Sequence, residues 1–118
     1  MINSFKMRSF EQIYFSLILE EVLEDANLST RIDALPTPLC TYFNEMKTSM
    51  LKAANAKSDE EYTAVNTEVN TWRDKIIDFW QKNAAKLKDF IKQEINDILM
   101  IIVSRYTELM NGCNTGYA

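Results

Sequence analysis

Apolar positions recur at intervals of three and four through four separate stretches of the chain, a spacing that predicts amphipathic helices rather than strands. Ile13, Tyr14, Leu17, Ile18, Val22 and Ala26 make the first stripe, and Phe15, Leu19 and Leu23 widen it enough to meet two neighbours. A helix over 10–26 follows, with Ser9 as N-cap, Gln12 as its reciprocal partner and Asn27 as the stop. Ser29, Thr30, Asp33 and Pro36 then read as a connection, and Thr37-Pro38 supplies an N-cap followed by proline at the first helical position. Leu39, Tyr42, Phe43, Met46, Met50, Leu51 and Ala54 carry a second helix over 38–56. Ser58-Asp59-Glu60-Glu61 is a capping box that opens a third helix over 59–82. Tyr62, Val65, Val69, Trp72, Ile76 and Phe79 give that helix the seam of a shallow-angle packing. The fourth, over 84–111, carries Leu87, Phe90, Ile91, Ile95, Ile98, Leu99, Ile102, Tyr106 and Leu109, and Asn111-Gly112 reads as its C-cap before a frayed tail. Residues 81–86 contain neither Gly nor Pro, but an unbroken helix from 59 to 111 would be roughly 80 Å long and would require a second chain to bury it. A break at Asn83 is therefore the expectation.

One segment departs from this pattern. Ile98-Leu99-Met100-Ile101-Ile102-Val103 is apolar at six successive positions, which on a helix point all round the axis, so either the core or another chain must surround it. Together with Trp72, Phe79 and Trp80 it offers more apolar perimeter than four short helices cover. Trp72, Phe79, Trp80, Ile98, Met100, Ile101 and Val103 are accordingly the candidate partner-binding residues, the partner being another protein or a second copy in a homodimer.

Composition narrows the architecture. The 118 residues suit one domain over 1–118, and two Gly with two Pro leave little punctuation for strands. The expected fold is all-α, an elongated antiparallel bundle of three or four helices. A net charge of −4 argues against nucleic acid as a partner. The longest apolar run is far shorter than a membrane span, and the stretch Lys82, Lys86, Lys88 and Lys92 is diluted by Asp78, Asp89, Glu94 and Asp97. With no signal-peptide pattern and two widely separated cysteines, Cys40 and Cys113, a reducing, cytoplasmic setting without membrane contact is expected.

The chain contains no histidine. That removes the usual general base, the commonest transition-metal ligand and the Glu-x-x-His element of di-iron bundles, so neither catalysis nor a metal or cofactor is expected. Cys40, near the start of the second helix, is placed where a thiolate would be stabilised, but the simpler reading is a small packed residue. Glu20, Glu21, Glu24 and Asp25 form an acidic patch at the end of the first helix, unfavourable to its dipole unless offset by Arg31, by the lysine stretch or by a basic partner. The expected function is a non-catalytic interaction or oligomerisation module, an adaptor, chaperone-like binder or inhibitor presenting a helix face. The alternative is an apolar small-molecule or lipid binder, for which six Met, two Trp, five Tyr and six Phe would line a pocket in the bundle core.

Overall fold

The computed structural model describes residues 10–115, with side-chain environments over 17–110. It contains α1 (Phe10–Leu23), α2 (Ala26–Asp33), α3 (Leu39–Ala54), α4 (Asp59–Lys82) and α5 (Asp89–Thr115), and no strand among the described residues. The molecule extends 47 × 25 × 19 Å.

The fifth helix in the count comes from the segment expected to be a connection. Leu28 and Ile32, one turn apart, are both buried, and they draw 26–33 into a helix whose outer positions hold Ser29 and Thr30. The Asp25 side chain accepts a hydrogen bond from the Leu28 N–H at 3.1 Å and so caps α2. Polar composition concealed the pair of apolar residues that decides the structure here. The first helix accordingly stops at Leu23 rather than Ala26, where the Lys47 ammonium donates to the Leu23 carbonyl at 3.1 Å. The capping pair of Ser9 and Gln12 lies outside the residues whose side chains are described.

Two other boundaries also differ. α3 takes Pro38, not Thr37, as its N-cap and has no side-chain cap bond. α5 begins at Asp89 rather than 84 and passes through Asn111-Gly112 to Thr115. A single glycine costs a helix only about 1 kcal/mol relative to alanine, and buried Leu109 and Met110 hold the preceding turn in place. The capping box at Ser58 is present, its hydroxyl accepting from the Glu61 N–H at 3.0 Å. The break between the last two helices is present as well. Asn83 ends α4, its side-chain amide donating to the Phe79 carbonyl at 2.9 Å, and the Lys86 and Leu87 N–H groups then turn back onto the Asn83 carbonyl.

The helices run in alternating directions. α1 and α2 together occupy one position, bent at Glu24 and Asp25. α3 returns alongside them, and α4 lies antiparallel to α3, with Ser49 and Lys52 reaching Glu68 while Tyr42 meets Trp72 at 5.9 Å. Along this pair buried Ser49, Ala53 and Ala54 let the backbones come close. α5 descends beside α1 and α2, joined by the Arg31 guanidinium, which donates two hydrogen bonds to the Glu94 carboxylate at 2.7 and 2.8 Å. One core runs between these elements, centred on Leu19, Leu23, Ile32, Phe43, Met46, Met50, Ile76, Ile95, Ile98 and Ile102.

Candidate functional site: the groove between α4 and α5

Although consecutive in the chain, α4 and α5 bring their backbones close at few points, because each packs chiefly on a different neighbour, α4 on α3 and α5 on α1. Large side chains span the gap. The Tyr106 hydroxyl donates to the Asn66 side-chain oxygen at 2.7 Å, and fourteen residues further along α4 the Trp80 indole N–H donates to the Lys92 carbonyl at 3.3 Å, fourteen residues back along α5. These two contacts fix an antiparallel register and leave the outward side of the seam open.

Two clefts lie end to end in that seam. One, of about 180 Å³, is lined by residues including Tyr62, Asn66, Asn70, Arg73, Val103 and Thr107. The other, of about 120 Å³, is lined by residues including Ile76, Ile77, Trp80, Ile95, Asn96 and Leu99. On α4 the lining positions follow one another at helical spacing from Tyr62 to Gln81, so the two clefts together border about 28 Å of that helix and make one interrupted groove. Asn96, Met100, Val103 and Thr107 share one face of α5 along its other wall. One half is thus polar and the other apolar, and Arg73 is the one charged residue lining either cleft. In a chain of which a quarter is charged, such depletion, with Tyr, Trp, Met and Arg in its place, is the composition of a protein interface core.

Arg73 itself is incompletely satisfied. Its Nε is shut off from water and has no hydrogen-bond partner. Asp74 approaches Nη2 at 3.6 Å, which is ion-pair distance and too long for a hydrogen bond. Beside it, burial first and then the neighbouring Tyr62 push the Tyr106 hydroxyl well above the usual tyrosine range, so it stays a neutral donor.

The candidate binding residues from the sequence scatter over four environments. Val103 and Trp80 line the groove, and Met100, 71% exposed, stands on the α5 face that borders it. Ile98, expected on the binding surface, is instead fully buried in the core together with Ile102, because the all-round apolar run is divided between the core and three clefts. Trp72 packs against Tyr42 under the Lys75 ammonium, and Phe79 is half-buried against the core. Ile101, 43% exposed, faces the opposite way, into a cleft of about 370 Å³ lined also by Glu21, Val22, Asp25 and Arg31.

The acidic patch Glu20, Glu21, Glu24 and Asp25 is exposed, and of the counter-charges expected for it Arg31 shares a cleft with Glu21 and Asp25. Lys82 and Lys92 pair within their own helices with Asp78 and Asp89, and Arg31 is engaged by Glu94, which raises the guanidinium and lowers the carboxylate from their usual ranges. A second nearby cation is Lys47, pushed down by burial and pulled back up by Asp33 and Glu24. Moreover, the bend at Asp25 turns the end of α1 into the start of α2, where negative charge is favourable. Cys40 is half-buried against the core. Among the described residues no three His, Cys, Asp or Glu side chains gather as a metal site, and no helix is long and apolar enough to cross a membrane. Neither Arg73 nor Ile77 was among the candidates from sequence, and the helical spacing that links Arg73 to Tyr62, Asn66 and Trp80 was the available signal. Compared with protein-family models, curated proteins and solved structures, the chain shows no match.

Proposed function

We propose that this chain is a non-catalytic protein-interaction module whose α4/α5 groove receives a helix of a partner protein. The observation that carries the reading is the pair of charge-poor clefts that follow one another along about 28 Å of α4, one of them lined by exposed Ile77. A helix laid along the pair would cover their lining residues with the anchor spacing of helix-in-groove recognition. The apolar-ligand alternative draws less support, since the clefts of about 120 and 180 Å³ fall below the roughly 300–1,000 Å³ of typical small-molecule sites, and the cleft of about 370 Å³ beside Ile101 is lined by the charged Glu21, Asp25 and Arg31. Self-association draws less support too. A groove does not complement a second copy of itself, and a two-fold arrangement centred on it would set Arg73 against its own copy.

The test is photo-crosslinking from position 77, in the groove, and from position 60, an exposed point at the start of α4. A protein captured from position 77 and not from 60, and released by Met100→Glu with far-UV helicity unchanged, is the expected result. Equal capture from both positions, or capture indifferent to Met100→Glu, would rule the groove out. A captured protein that is this same chain, with a solution mass of twice 13.7 kDa, would make the module a homodimer.

A further inference from the structure

The groove's two halves make different demands on whatever fills it. The half around Ile77, Trp80 and Leu99 offers apolar surface, whereas the half around Arg73 offers donors: the guanidinium, the amides of Asn66 and Asn70, and the Thr107 hydroxyl. Arg73 is the one cation lining the clefts, it lies near the midpoint of the lined stretch of α4, and its side chain is 39% exposed with Asp74 no nearer than 3.6 Å to Nη2. Arginine presents its N–H groups as a planar fork that matches a carboxylate. Asp74 is too far from Nη2 for a hydrogen bond, so an occupant carboxylate that reaches the outward N–H groups adds charge-assisted bonds that the protein itself does not make there.

We infer that the occupant is an amphipathic helix of a partner protein carrying an aspartate or glutamate in its middle turns, seated against Arg73, with apolar residues one to two turns away over Ile77 and Leu99. This inference rests on the helix-in-groove reading. The acid sets the register of the bound helix, because sliding it by one turn takes the carboxylate out of reach of the guanidinium. The partner face is therefore acidic at one point and apolar beside it, the complement of the groove on which it lies.

A displayed library of 20-residue helix-forming peptides, selected on the whole chain and counter-selected on Ile77→Glu, tests this directly. The expected result is enrichment of sequences with apolar residues at i, i+3 or i+4 and one acid at a constant offset from them. Replacing that acid by its amide in the peptide, or Arg73→Gln in the protein, then weakens binding at least about 30-fold, the loss typical of cutting a desolvated charge pair. The amide change leaves the protein untouched, so the result does not depend on how the Arg73 variant folds. Enriched peptides without a constant acid, bound equally by Arg73→Gln, would overturn the carboxylate while leaving the groove as a docking site. Failure to enrich any sequence that distinguishes the wild-type chain from Ile77→Glu would overturn both.

Discussion

Ile98 and Met100 stand two positions apart in one apolar run, yet one is fully buried and the other 71% exposed. On a helix two residues are separated by about 200°, so a run without polar interruption still has to place its members on opposite sides of the backbone. Their substitutions separate accordingly. Ile98→Ala is expected to lower unfolding free energy by about 2–5 kcal/mol, whereas Met100→Ala changes it by less than about 0.5 kcal/mol, as read from urea denaturation with unchanged slope. Similar losses at both sites would mean that Met100 is covered in solution. At this scale sequence spacing identified the apolar set but not its partition. Ile101 and Leu99 face different clefts because α1 and α4 flank α5 on different sides, and no local pattern encodes which neighbours a helix will have.

The elements were legible wherever a cap and a stripe agreed. Ser58 with Glu61 opens α4, and Asn83 closes it, as the sequence indicated. They were illegible where two signals opposed each other, above all in 26–33. There Ser29 and Thr30 suggested a connection while Leu28 and Ile32 supplied one turn of a core face. Tertiary burial prevails in such a short helix, which has too few turns to persist by propensity alone. The cap is correspondingly important to it. Asp25→Ala, which removes the acceptor for the Leu28 N–H, is expected to destabilise the fold by about 1 kcal/mol. Amide hydrogen exchange should locate the effect in α2. Unchanged protection over Leu28 to Ile32 would show that burial alone holds the segment.

Over the whole molecule, the Tyr106 hydroxyl is one of two hydrogen-bonding bridges between α4 and α5, and its proton links the fold to pH. Burial raises its ionisation above the ordinary value of 10.0. The contribution is therefore complete below about pH 10 and is lost progressively above it, as the unfolded chain ionises first. Tyr106→Phe is expected to be less stable at neutral pH by about 0.5–1.5 kcal/mol and to lose stability less steeply in alkali. Parallel alkaline slopes for the two proteins would assign the pH response to another group. The all-helical class was readable from periodicity and from the scarcity of Gly and Pro, and the groove was not. Its existence depends on α4 choosing α3, through Ser49, Ala53 and Ala54, over the helix that follows it in the chain.

That choice of neighbours also divides the mechanical labour. α3 and α4 form one tightly joined pair, and α5 is tied to α1 by packing and to α2 by the forked contact between Arg31 and Glu94. The seam between the pairs, held near its ends by Trp80 on Lys92 and Tyr106 on Asn66, is far less closely knit than the packing of α4 on α3, so the chain's longest helices are stitched to each other by single hydrogen bonds between large side chains and their partners.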